Sequence, residues 1–235
     1  MKILAIDTAT ENCSAALLID GQLGSRARLL GRGHAEHILP MVQELLAEAG
    51  VALAQLTAIA FGRGPGGFTG VRLAAGVAQG LAYGAGLPVV PVSDLRALAQ
   101  RVLAADEAVM RVLVCTDARM HEVYWGCFER REGVAAALGE ERVSAPAAVQ
   151  IPAGWKGNRL RCVGAGTGFA AYPELKSALS PLLDCVQDQL LPRAAEIAVL
   201  AAAEAAAGRS LPAEQALPTY LRDDVTHVPA VPSLN

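Results

Sequence analysis

The chain has 235 residues, 53% of them hydrophobic and 18% charged, which is enough apolar matter for a sizeable core and excludes a disordered chain. Its formal net charge of −3 comes without any run of lysines or arginines. That excludes a protein that grips RNA or DNA unaided, because phosphate neutralisation dominates such affinity.

The opening "MKILAIDTAT" meets an aspartate after a few apolar residues, so it reads as neither signal peptide nor membrane span, and a cytoplasmic location is expected. "KILAIDTATENCSAALLIDGQLGSRARLL" predicts strand, polar turn, strand, Asp-Gly turn, strand. "ILPMVQELLAEAG" predicts a helix closed by Gly50, with Pro40 tolerated only in its first turn. "LTAIAFG" is a short buried strand, "FTGVRLAAGVAQGLAYGAG" a helix, "PVVPVS" a strand and "DLRALAQRVLAA" a helix.

After Asp106 the pattern restarts. "RVLVCTDARMHEVYWGCFERREG" repeats a basic residue, an apolar strand, an aspartate, a polar turn and a returning strand, so that Lys2-to-Asp7 and Arg111-to-Asp117 correspond. This is the mark of a duplicated α/β unit, with a cleft expected between the copies. A loop-rich stretch around "SAPAAVQIPAGWKGN" follows, then a strand "LRCVG", a glycine turn "AGTG" and helical segments. "PRAAEIAVLAAAEAAAG" is an Ala-rich helix ending at Gly208, and the Pro-punctuated tail "LPTYLRDDVTHVPAVPSLN" is expected to lie over the surface.

Several places invite a chemical reading. In "GRGPGGFTGVR", Gly62, Gly64 and Gly67 fit G-x-G-x-x-G, and Gly62, Gly67 and Thr69 fit a phosphate loop in which Phe68 replaces the lysine. The competing reading is a tight strand-to-helix turn with Thr69 as helix cap. Asp7, with Thr8 and Thr10 behind it, reads either as a phosphate-wrapping hairpin or as a turn bonding its own backbone. Asp117 reads as structural, and the Gly164–Gly166 turn is a second candidate for contact with a nucleotide. His34 and His37 are three apart rather than four and have no third ligand, so no metal is expected. The five cysteines, at 13, 115, 127, 162 and 185, contain no C-x-x-C and read as reduced thiols.

Two helical faces stand out. Ile38, Leu39, Met41, Val42, Leu45, Leu46 and Ala49 spread over a wide apolar arc, wider than packing on one side of a sheet usually needs. Gly76, Gly80 and Gly84 make a small-residue stripe, which serves close approach either of a partner helix or of this chain's own sheet.

Together "ILAIDTAT", "HILPMV", "GRGPGGFTGVR", "VGAGTG" and "PTYLR" resemble the TsaB (YeaZ) family, from the first strand to near the C-terminus. The resemblance implies an α/β chain of the acetate/sugar kinase–Hsp70–actin fold. Its two duplicated domains are expected at 1–105 and 106–235, and the last helix and tail pack either there or back on the first domain. It implies a non-catalytic subunit that pairs with a TsaD-like catalytic paralogue, recruits a TsaE-like ATPase, and forms a homodimer when alone. The paralogue would transfer threonylcarbamoyl to adenosine 37 of tRNAs reading ANN codons, and would hold the metal through an H-x-x-x-H pair absent from this sequence. The tRNA would be met mainly through the complex. No cofactor is expected to be tightly bound, although ATP or ADP is a candidate at the heteromeric interface, with Asp7, Thr8, Thr10, Gly164 and Gly166 as contacts. Pairing would use the two N-terminal helices, through Ile38, Met41, Val42, Leu45, Leu46, Ala49, Val71, Gly76, Val77, Gly80 and Gly84. The rival readings are an independent ATP-using phosphotransferase or ATPase of the same fold, and a metallopeptidase-like protein.

Overall fold

The computed structural model describes residues 1–155 and 160–222. Strands β1 (Lys2–Asp7), β2 (Asn12–Ile19) and β3 (Gln22–Leu29) form an antiparallel meander. The β2–β3 hairpin turns on Asp20 and Gly21, both at positive φ, the mirror-image turn that matches strand twist. Strands β4 (Ala58–Gly62) and β5 (Val89–Val92) join in parallel on the other side of β1, giving the order β3-β2-β1-β4-β5. Helices α1 (His34–Ala49) and α2 (Phe68–Ala85) lead into these strands as the crossovers that parallel pairing demands.

The second sheet repeats that plan. It contains β6 (Val109–Asp117), β7 (Val123–Arg131), β8 (Val134–Ala137), β10 (Arg161–Ala165) and β11 (Cys185–Gln187), in the order β11-β10-β6-β7-β8. Strand β9 (Arg142–Ser144) pairs with the start of β7. With β6 in the place of β1, Asp7 and Asp117 close equivalent strands. Two such units make the acetate/sugar kinase–Hsp70–actin fold. The short strands β8, β9 and β11 were not expected, and β11 lies where helical segments were, because three or four residues carry too little periodicity to register.

Alternation along β1 sorts the core. Leu4 and Ile6 face the α1/α2 side, whereas Ile3 and Ala5 face a layer of two helices between the sheets. That layer consists of α3 (Asp94–Ala105) and α6 (Ala194–Ala206). The short helices α4 (Gly168–Ala171) and α5 (Pro173–Leu179) lie with the cluster on the far side of the second sheet.

The middle helices are exchanged. Helix α3, from the first half, packs on β6, β7 and β8, while α6, from the second half, covers β1, β2, β4 and β5. Asn12 Nδ2 donates to the Pro192 carbonyl at 2.8 Å, and the Ala194 N–H donates to Ser14 Oγ at 2.9 Å. Arg96 of α3 donates to the Ala135 carbonyl of β8 at 2.7 Å and to Glu204 of α6 at 2.6 Å. The chain passes from one sheet to the other between β5 and β6, but packing does not respect a division at residue 105.

Local differences from the sequence reading have simple causes. Helix α1 starts at His34, not near Pro40, so the proline sits in its interior. Pro40 and Glu36 are both exposed, so water can serve the carbonyl that lacks a partner there. Thr69 does not cap α2, because Gly67 holds the cap position without a side-chain bond. The cysteines are all free; burial pushes the Cys13 thiol up to about 11 and Cys127 and Cys162 to about 12, leaving them unreactive. Lys156 to Asn158 of the loop-rich stretch, and the tail from Asp223 onward, lie outside the described residues. Among the described residues no helix is long and apolar enough to cross a membrane.

Candidate functional site

The glycine-rich loop that follows β4 lies on the β1–β2 turn, backbone against backbone. The Gly67 N–H donates to the Ala9 carbonyl at 2.7 Å, and Thr8 Oγ1 donates to the Gly70 carbonyl at 2.7 Å. A Cβ at Gly66 would stand 2.5 Å from the Ala9 oxygen, and one at Gly70 only 2.0 Å from the Thr8 oxygen. The glycines are required by this contact. A phosphate seeking the amides of the β1–β2 turn would find the chain's own loop there.

The residues singled out as nucleotide contacts are turned inward accordingly. Asp7 is fully buried, and its Oδ1 accepts from the Ala9 N–H at 2.8 Å, the self-bonding turn of the second reading. Thr8 is buried with its hydroxyl spent on Gly70. Thr10 is half-buried: its hydroxyl accepts from the Asn12 N–H at 3.2 Å and its carbonyl meets His34 Nε2 at 2.9 Å. In the second sheet, a Cβ at Gly164 would lie 2.8 Å from Leu183 Cδ1, and one at Gly166 2.4 Å from the Cys115 carbonyl oxygen. Both glycines serve internal packing. Asp117 is structural as well, since its Oδ1 accepts from the Tyr172 hydroxyl at 2.9 Å and the Arg119 N–H at 2.8 Å.

Beneath the loop lies Asp94, which stands too far along the sequence to serve a dinucleotide motif and to which the sequence assigned no role. Asp94, the first residue of α3, accepts the Gly64 N–H on Oδ2 at 2.5 Å, and its carboxyl lies beside that of Asp7 under Gly62. Burial pushes Asp7 from 3.8 up to about 6, against the lowering effect of its bond from Ala9. Burial and then the Asp7 charge drive Asp94 well above its ordinary 3.8.

On the outer face of the first sheet the expected interface divides. Ile38, Met41, Val42 and Leu45 are buried in this chain's own core, with Leu4, Ile6, Leu17, Ile59 and Phe61. The wide arc of α1 is consumed internally because α1 spans β2 and reaches β3, so these four side chains are not free to meet a partner. Leu46 is half-buried, and Leu39 and Ala49 are exposed. Helix α2 differs. Its inward face is Ala74, Ala75, Ala78 and Ala82, with Val71 buried and Val77 half-buried. Gly76, Gly80 and Gly84 are exposed, and a Cβ on any of them meets nothing among the described residues within 4 Å. The stripe therefore does not pack on the chain's own sheet.

Large side chains bracket this open strip. Tyr83 is 71% exposed near one end and Phe68 57% exposed at the other. The Arg72 guanidinium stacks 3.2 Å above the Phe68 ring, with the Tyr220 ring 6.1 Å beyond. Phe68 thus stands on the outside of the loop, not in a cradle. A cleft of about 700 Å³ lined by Arg63, Ser93, Arg96, Glu141 and Glu204 is already balanced internally, Arg63 pairing with Glu141 at 3.5 Å and Arg96 with Glu204 at 2.6 Å. Among the described residues no group of three or more His, Cys, Asp or Glu side chains could hold a metal ion.

Fold and site define a two-unit α/β chain of the acetate/sugar kinase–Hsp70–actin class, with its first hairpin closed by its own loop and a glycine face open on α2. A family model described as TsaD, tRNA N6-adenosine threonylcarbamoyltransferase, matches residues 24–230. The chain is 43% identical to the tRNA threonylcarbamoyladenosine biosynthesis protein TsaB of Escherichia coli, over 96% of both chains. It is 41% identical to TsaB of Haemophilus influenzae, over 96% of this chain and 95% of that one. The solved structure of YeaZ from Pseudomonas aeruginosa superposes with a TM-score of 0.82 at 44% identity, covering 94% of this chain and 99% of the other. The chain belongs to the TsaB family.

Proposed function

We propose that this chain serves threonylcarbamoyladenosine biosynthesis on tRNA as a non-catalytic scaffold subunit, holding a TsaD-like catalytic paralogue through the outer face of α2. The observation that carries the reading is the glycine stripe. Three helix glycines cost roughly 1 kcal/mol each relative to alanine and meet nothing among the described residues, so the demand for them is assigned to a partner. They would let a partner helix approach backbone to backbone, with Leu39, Leu46 and Ala49 of α1 at the margin. A contact of standard size buries about 1,600 Å² in total.

On this reading the paralogue supplies the metal and most of the tRNA surface, in keeping with a net charge of −3 here. A TsaE-like ATPase joins the pair, ATP or ADP enters only at the heteromeric interface, and the isolated chain forms a homodimer through the same strip. The work is cytoplasmic. The phosphotransferase and peptidase readings have no feature in their favour: the Asp7 turn is closed by the glycine loop, and His34 is spent on the Thr10 carbonyl.

The test is co-purification with the TsaD-like paralogue and reconstituted modification of tRNA, for the wild type and for Gly80→Arg. The variant is expected to fold, because its side chain enters open space, and to lose both pairing and modification. A folded Gly80→Arg chain that pairs normally would refute the interface.

A further inference from the structure

We propose that the carboxyl groups of Asp7 and Asp94 share a single proton, and that this proton fastens the β1–β2 turn to the loop that launches α2. Of the four carboxyl oxygens, two are satisfied by backbone donors. Asp7 Oδ1 takes the Ala9 N–H and Asp94 Oδ2 takes the Gly64 N–H. The other two oxygens, Asp7 Oδ2 and Asp94 Oδ1, are buried and receive no donor from the described residues. The two carboxyls are neighbours, since a Cβ at Gly62 would come close to both at once. Ionised carboxylates only accept hydrogen bonds, so two buried neighbours with no donor between them can bond each other only if one carries a proton.

The surroundings favour that state. The relative exposures are 0% for Asp7 and 2% for Asp94, so two negative charges side by side would be held away from water. A Cβ at Gly62 would come within 2.4 Å of Asp94 Oδ1 and 2.9 Å of Asp7 Oδ1, so the roof over the pair is backbone alone. That roof leaves a place for a proton but little for a hydrated cation. The charged and titratable neighbours do not supply a direct counter-ion. His34 of α1 favours the ionised form of Asp7 when it is charged itself, and the Cys13 thiol of β2 feels the Asp7 charge. Glu141, between β8 and β9, opposes ionisation of Asp94; it is bonded to Ser93, and Arg63 and Arg96 act on it, not directly on the pair.

The mechanical consequence follows from position. Ala9 belongs to the β1–β2 turn, Gly64 to the loop after β4, and α2 starts four residues later at Phe68. Asp94 is the first residue of α3. The shared proton thus ties together the turn, the loop and α3 at the point where the direction of α2 is set. Removing it puts a second charge under the loop and loosens that tie. This inference concerns the inner end of α2, whereas the proposed partner contact uses its outer face, so each can fail without the other.

The test is carboxyl ¹³C NMR of the full wild-type chain labelled at aspartate, titrated from acid to mildly alkaline pH. Two aspartate signals should titrate jointly, at least one of them more than about one pH unit above the usual aspartate midpoint, and amide signals of residues 62–70 should shift with them. In Asp94→Asn, whose amide can donate to Asp7 without a titrating proton, the joint titration should be lost and Asp7 should follow a single-site curve, still raised by burial. Ordinary acidic titration of every aspartate in the wild type would overturn the proposal, whether or not the variant folds. So would a wild-type Asp7 signal that already follows the single-site curve of Asp94→Asn.

Discussion

Replacing the α2 glycines by alanine separates two demands on one helix. At Gly76 and Gly80 an added Cβ meets nothing among the described residues within 4 Å, and neither residue has a positive φ, so only helix propensity changes in the isolated chain. Each substitution should stabilise that chain by about 0.5–1 kcal/mol, which for a protein of this size raises the midpoint of thermal unfolding by roughly 1–4 °C. Gly84, one residue from the helix end at Ala85, should gain less. In the complex the same methyl groups lie where the partner's backbone belongs, so pairing with the TsaD-like paralogue should weaken about tenfold or more, equivalent to about 1.4 kcal/mol. Urea unfolding followed by far-UV circular dichroism, at a concentration where the chain is monomeric, gives the first quantity. A pull-down titration or calorimetry gives the second. The internal control is Gly70→Ala, whose Cβ would stand 2.0 Å from the Thr8 carbonyl oxygen and should cost about 1–3 kcal/mol. The reasoning is refuted if Gly76→Ala or Gly80→Ala destabilises the isolated chain, or if both leave pairing untouched.

Stability should fall as pH rises from about 4 to about 6, because the Asp7 carboxyl is held at about 6 when folded and at 3.8 otherwise; the full difference is about 3 kcal/mol, and urea midpoints across that range measure it. Below pH 4 the Asp7 contribution is flat, since both states are then protonated. Arg130→Met should cost about 2–3 kcal/mol by the same assay, since the guanidinium donates to the carbonyls of Leu103 at 2.5 Å, Asp106 at 3.0 Å and Val109 at 3.2 Å. Calorimetric titration of the isolated chain with ATP and Mg²⁺ should show no binding, because Asp7 and Thr8 are spent internally; saturable heat lost in Thr8→Ala would contradict this. Arg72→Ala should lower stability by no more than about 1 kcal/mol, as expected for an exposed cation stacked on a ring.

The fold was readable where its signals are long. The β1–β2–β3 meander announces itself through two apolar runs and Asp20-Gly21, and β6–β7 repeats the signal, so duplication showed in "ILAID" and "VLVCTD". Helices α1 and α2 end at Gly50 and Gly86, both left-handed caps visible in sequence. The face of α1 was misjudged because the width of an apolar arc says nothing of which neighbour covers it. Ile38, Met41, Val42 and Leu45 meet β2 and the outer core of the first sheet, a neighbour that only tertiary structure supplies. The glycine stripe had two readings in sequence, and the open space around Gly76, Gly80 and Gly84 separates them. Asp94 reads in sequence only as the acidic residue of a dinucleotide motif, for which it stands too far along, and its pairing with Asp7 was not readable because that partner is distant along the chain. The available signal was its place directly after a buried strand, "PVVPVSD", matching Asp7 at the end of β1.

The exchange of α3 and α6 bears on how the chain is made. A ribosome delivers the first sheet and α3 long before α6, which begins at Ala194, roughly ninety residues after α3 ends at Ala105. At typical bacterial elongation of about 5–20 residues per second, that interval is roughly 5–18 s. Throughout it Ile3, Ala5, Ala16, Ala58 and Ala60 lack the helix that finally covers them. The nascent first half therefore presents an uncovered apolar sheet face. Fragments cut near residue 105 should aggregate rather than fold, and chaperone capture during synthesis should concentrate in that window.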